Sequence, residues 1–360
     1  IREGTRITSG QMNLALLSRP GPQGMVWQGR FETSNLTAVR ADRQLVWEQP
    51  MLITLSARET SQGPMIESLK CESSFLNVNL AGTRDQLTAS ASFDLNRLAS
   101  QLNGYIDLGG TRLAGDGWAN LTWKRSRQQG GFEADVDMQV RKFQLAIPGK
   151  PVWNEDNLIV ILTATGRTDF SASSRIDEAI VKLEAGSDVL EARLLQPVAG
   201  FHRGGTWAVD LRTQGQIARW MPRLGVWTML TDWHAAGAYD IQGQVTYAPE
   251  GIRVNRGRLA VGQLQVVGPW LNVQEPMAEI VLSGAYDPKA RRLEADQISL
   301  TTSNVALQSN NLVAAWPAQA APELSGVVSC QGALEQLQRW FTPANAAPAW
   351  QVRGQFAGKA

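Results

Sequence analysis

The chain has 360 residues, 34 Lys plus Arg against 33 Asp plus Glu, and a formal net charge of +1. A balance this close to neutral, with no basic run carrying interleaved aromatics, excludes the electrostatic footprint of a nucleic-acid binder. No stretch approaches the roughly 20 apolar residues of a membrane-spanning helix, and the 33 Gly and 16 Pro are spread as punctuation between short elements.

In chain order, alternation of apolar and polar residues marks strands or strand pairs over 11–17, 24–32, 45–56, 66–80, 86–93, 117–124, 131–146, 157–165, 178–195, 206–212, 236–247, 251–261, 263–271, 278–285, 292–308 and 326–332. Turn chemistry separates them, as in Arg19-Pro-Gly-Pro22, Gln128-Gln-Gly-Gly131, Pro249-Glu-Gly251 and Asp287-Pro-Lys289. Links this short favour antiparallel hairpins over crossovers. Only three segments show the 3.6-residue period of a helix: 94–102, 215–224 and 332–341. The segments 173–185 and 226–235 fit either period and are left unassigned.

The three helical segments recur at nearly constant spacing. Their leading apolar residues are Leu95, Ile217 and Leu334, so the offsets are 217 − 95 = 122 and 334 − 217 = 117. Strand-like text echoes the period, since Leu69 and Leu76, Leu183 and Leu190, and Leu300 and Leu307 each stand seven apart. A third echo links Val46-Trp-Glu-Gln-Pro-Met51, Val152-Trp-Asn-Glu-Asp-Asn157 and Asn272-Val-Gln-Glu-Pro-Met277. The expected organisation is a first β repeat over 1–102, a second over 103–224, a third over 225–341 and the start of another over 342–360. Arrays of this kind bury a core between neighbouring units. The expected fold is therefore mainly β, an elongated antiparallel array, groove or sandwich, with one short helix per repeat. The chain opens at Ile1 with no signal-like pattern and is read as part of a longer polypeptide.

Many strands carry one apolar and one polar face, as in Leu76, Val78 and Leu80 against Asn77 and Asn79. The apolar face needs a cover, and three short helices supply little. Leu76, Val78, Leu80, Leu190, Ala192, Leu194, Val305 and Leu307 are the candidate lining residues of an open groove; the other reading of the same residues is a dry sandwich core. Trp is enriched at 13 residues. Trp220 and Trp340 fall on the apolar sides of their helices and read as packing residues, although aromatic-rich β surfaces also suit sugars and membrane interfaces.

Catalytic patterns are missing from the text. His202 and His234 are the two histidines, and neither stands in a ligand triad or beside a nucleophile. Glu184 with Asp188, and Asp135 with Asp137, read as ordinary charge alternation, and Gly109–Gly115 as a hairpin turn rather than a phosphate cradle. Cys71 and Cys330 sit in alternating apolar contexts 259 residues apart and read as small apolar fillers, not a disulfide. The expectation is a non-enzyme with no cofactor, no metal and no nucleic-acid partner. An enzyme on a β-helix is disfavoured because its coil would repeat every 20 to 25 residues.

The cycle of amphipathic strands closed by a short Leu-rich helix, carried by the segments at 94, 215 and 332, resembles the AsmA-like family of bacterial envelope proteins, which includes TamB-like members. The resemblance implies a repeating β-groove in the periplasm, tethered to the inner membrane by a segment absent from this chain. It implies lipid transfer between membranes or outer-membrane assembly, with phospholipid acyl chains, flanking regions of the longer chain and other envelope proteins as partners. The competing expectation is a structural or carbohydrate-binding β-sandwich array of a cell-envelope protein.

Overall fold

The computed structural model describes residues 6–22, 24–40, 43–47, 50–61, 63–103, 108–126, 130–168, 174–200, 204–228, 232–316, 323–343 and 351–359. The fold is mainly β and antiparallel. Two compact units divide the chain, one comprising Ile1–Thr168 with Leu183–Gly186, the other Asp169–Lys182 with Ser187–Ala360.

The first unit contains β1 (Arg6–Gly21), β2 (Gly24–Arg40), β3 (Arg43–Trp47), β4 (Met51–Thr60), β5 (Gly63–Glu72), β6 (Leu76–Thr83), β7 (Gln86–Asp94), α1 (Leu95–Asn103), β8 (Arg112–Arg125), β9 (Gly131–Ala146) and β10 (Trp153–Arg167). They form a meander in which each strand pairs with the next, except that β2 pairs with both β3 and β4. After β11 (Arg175–Ala185), the second unit continues with β12 (Asp188–Leu194), β13 (Val198–Ala199), β14 (Trp207–Gln216), α2 (Ile217–Gly225), β15 (His234–Ala248), β16 (Gly251–Val267), β17 (Asn272–Asp287), β18 (Arg292–Thr302), β19 (Val305–Ala315), β20 (Glu323–Ala333), α3 (Leu334–Trp340) and β21 (Gln355–Lys359). From β14 onward it is again a simple meander, with β12 paired to β14. Neither run closes into a barrel.

Each helix interrupts an antiparallel hairpin. Asp94 pairs with Asp116, Gln216 with Ala238 and Ala333 with Gln355. Every helix-bearing link therefore advances the chain by the same 22 residues (116 − 94, 238 − 216, 355 − 333). The offsets between copies, 216 − 94 = 122 and 333 − 216 = 117, equal those of the helices.

The entry to each helix is tied to the turn of an earlier hairpin. Asp94 donates its N–H to the Phe75 carbonyl at 2.9 Å and Ala333 donates to the Asn304 carbonyl at 3.0 Å. Both turns are organised alike: the Ser73 hydroxyl accepts the Leu76 N–H at 2.9 Å, and the Thr302 hydroxyl accepts the Val305 N–H at 3.0 Å. In the middle copy Gln216 donates to the Asp188 carboxylate at 2.9 Å instead. Gly215 and Gly332 precede these anchored residues, and a Cβ at either would collide with Asp188 or with the Asn304 carbonyl.

Several expected elements change in detail. The spans 66–80 and 292–308, each read as a strand or a strand pair, are pairs: the Ser73 turn separates β5 from β6, and the Thr302 turn separates β18 from β19. Conversely, 251–261 and 263–271 merge into β16, whose Gln263 takes the left-handed conformation (φ 53°) and so kinks the strand without ending it. The unassigned segment 173–185 holds the strand β11.

Candidate functional site

The strand registers align the apolar residues into rows that run across the strands. In the first unit one row passes through Leu16, Gly29, Leu55, Leu69, Leu80, Ala89, Leu121, Val136 and Leu162. The next passes through Leu14, Phe31, Ile53, Cys71, Val78, Ala91, Ala119, Met138 and Val160. Period-two alternation alone would give an apolar face on each strand; in-register pairing makes nine such faces one surface. Between these positions the opposite face is polar, with Asn79, Ser90, Asn120 and Asp137 paired in sequence across β6 to β9.

The second unit repeats the arrangement. Leu190, Thr213, Ile241, Leu259, Ile280, Leu300, Leu307 and Cys330 form one row, which contains two of the expected lining residues, Leu190 and Leu307. Ala192, Leu211, Gly243, Gly257, Leu282, Ile298, Ser309 and Val328 form the neighbouring row.

How far these rows are covered decides what they can do. Among the described residues sixteen apolar side chains are buried, and none is Leu, Ile or Met. A dry core would bury those types first. Leu76, Val78, Leu80, Leu190, Ala192, Leu194 and Leu307 are half-buried, whereas Val305 is 2 % exposed. At the outer side of the first unit, β1 leaves Met12, Leu14 and Leu16 65–76 % exposed. Cys71 sits within a row, between Ile53 and Val78; burial, then the charge of Glu72, raises its thiol above the ordinary cysteine value, so it stays protonated and apolar.

Where helices meet the sheet the surface closes locally. Val273, Val305 and Trp340 form a buried cluster against which Leu307, Leu337 and Phe356 pack. The Trp340 indole N–H donates to Glu275 Oε1 at 3.1 Å, and Gln336 Nε2 donates to the same oxygen at 2.7 Å. Glu275 is 2 % exposed, and its Oε2 is buried with no hydrogen-bond partner. At α2, Arg223 Nη1 donates to Asp188 Oδ2 at 2.5 Å, with side chains 7 % and 4 % exposed. The Arg223 guanidinium also lies 5.0 Å from the centre of the Trp220 ring, whose N–H donates to the Tyr239 hydroxyl at 2.5 Å. α1 has no buried residue; Asp94 caps it through the Arg97 N–H at 3.0 Å, and an exposed Asp94–Arg97 pair reinforces the cap.

Two of these carboxylates were not legible as anchors. Asp188 reads in the text as ordinary charge alternation, yet the fold buries it against Arg223. Glu275 and Glu155 occupy matching places in the echoed segments, and both are buried and accept an indole N–H, Glu155 from Trp153 at 2.8 Å. That coincidence of Glu in the echo was the available signal.

The remaining candidates are dispersed. His234 opens β15 on the surface, and His202 lies outside the described residues. Cys71 and Cys330 are free thiols. Asp135 and Asp137 face outward on β9, and Gly109 and Gly110 form a tight turn with Thr111 bonded back to Leu108. Among the described residues no group of three or more His, Cys, Asp or Glu could hold a metal ion, and no helix is long and apolar enough to cross a membrane. No protein-family model matches the chain, and no curated protein or solved structure shows detectable similarity to it.

Proposed function

We propose that the apolar rows are a lipid-contacting trough, and that the chain is a periplasmic, AsmA-like segment serving lipid transfer between membranes or outer-membrane assembly. One observation carries the reading. The rows continue across many strands with no Leu, Ile or Met among the described residues fully buried, so a large ordered apolar surface stays available to a ligand. At about 25 cal/mol per Å², covering a few hundred Å² of acyl chain contributes several kcal/mol without any head-group contact. Function then resides in a surface, not in a catalytic constellation.

Photo-crosslinking tests this proposal. With p-benzoylphenylalanine at Leu121 or Met138, in the rows, the protein should form lipid adducts when made in a diderm host. The same probe at Asn120 or Asp137, on the opposite face, should form few. Equal adduct yields from both faces, or none from either, would refute the trough.

A structural or carbohydrate-binding array is the second reading. Its support is the outer face, where Trp118 is held by Gln139 (3.1 Å) beside a polar ladder of Asn and Ser.

A further inference from the structure

We propose that the cavity between β17, α3 and the residues leading into β21 is a binding site for a phosphate-bearing anion. The cavity has a volume of about 520 Å³, and its walls include Asn272, Gln274, Glu335, Arg339, Gln351 and Arg353. Two guanidiniums and one carboxylate leave it with a formal charge of +1, which suits a monoanionic phosphomonoester or phosphodiester.

The arrangement of the charged groups argues for an anion rather than for a self-contained ion pair. Glu335 Oε1 accepts the Gly354 N–H at 3.0 Å and so acts as a strut between α3 and the approach to β21. Its carboxyl is held below the ordinary glutamate range, first by backbone N–H groups, those of Glu335 itself and Gly354, and then by the charges of Arg353 and Arg339. Arg339 and Arg353 both line the cavity, yet neither is within ion-pair distance of a carboxylate among the described residues. Arg presents a planar fork of donors that matches phosphate oxygens bidentately. Amide side chains at Asn272, Gln274 and Gln351 supply neutral donors around it.

The volume and the neighbours indicate the ligand class. A cavity of about 520 Å³ is far larger than inorganic phosphate needs and has room for a substituted head group. The same strand and helix carry the polar cavity, at Gln274 and Gln336, and the closed apolar cluster around Trp340, at the alternate residues Val273 and Leu337. A phospholipid source rests on the trough reading; a soluble phosphate ester does not.

The test uses the whole chain and the double variant Arg339→Gln/Arg353→Gln. Both positions are exposed, so the melting temperature should stay within a few degrees of wild type. Three probes are titrated at low salt: inorganic phosphate, phosphatidylglycerol in mixed micelles, and diacylglycerol of the same chains. The expected result is binding of phosphate and phosphatidylglycerol that weakens at least tenfold in the variant and falls with ionic strength, with diacylglycerol binding unchanged. Loss with phosphate alone would support the anion site and assign it to a soluble ester. Unchanged binding of both anionic probes would overturn the proposal. Failure of wild-type protein to bind diacylglycerol would count against the trough and leave the phosphate result standing.

Discussion

The rows of the first unit and the α3 cluster of the second are built from the same strand chemistry but covered differently. Leu80, Leu121 and Val136 stand half-buried in a long apolar surface, whereas Val305 and Val273 are shut beneath Trp340. What differs is one helix, pinned by hydrogen bonds to a buried carboxylate. The comparison teaches that amphipathic alternation supplies an apolar surface, and that only a docked helix turns part of it into a core. Helices seven to nine residues long cannot cover rows that cross eight or nine strands.

The largest expected effect is at the most buried anchor. Arg223→Met removes the cation from Asp188 and leaves a nearly buried carboxylate unpaired, which should cost about 3–5 kcal/mol in urea unfolding of the protein. Arg141→Met, which breaks the exposed pair with Asp116, should cost less than about 1 kcal/mol. Similar losses from the two would mean that Asp188 is hydrated after all.

Next in size is Trp340→Phe. An aromatic ring still fills the cluster, but Glu275 loses one of its two donors while its other oxygen already lacks a partner. About 1–3 kcal/mol should be lost, measured by the same method. A neutral outcome would separate α3 docking from the carboxylate and weaken the contrast between closed and open regions.

The text of the chain disclosed the helices well, because they depend on local period. The helices at 95–103, 217–225 and 334–340 lie within two residues of the segments read at 94, 215 and 332. Strand alternation also carried over, and Leu190 and Leu307, read as separate positions, fall in one row. That they share one row depends on six successive registers, which no local pattern encodes. Asp188 and Glu275 escaped for the same reason. A carboxylate reads as surface until the fold brings an arginine or an indole 35 or 65 residues away against it.

A small stability effect and the largest functional one should coincide at Leu121→Asp. In an open row the carboxylate can remain hydrated, so unfolding should shift by no more than about 1–2 kcal/mol, while the apolar track is interrupted. The direct measurement is mass spectrometry of lipid extracted from purified wild-type and Leu121→Asp protein, with a thermal melt of each. The account predicts phospholipid bound to wild type, strongly reduced in the variant, and a folded variant. Lipid-free wild type, or a variant that unfolds because Leu121 belongs to a dry core, would contradict it.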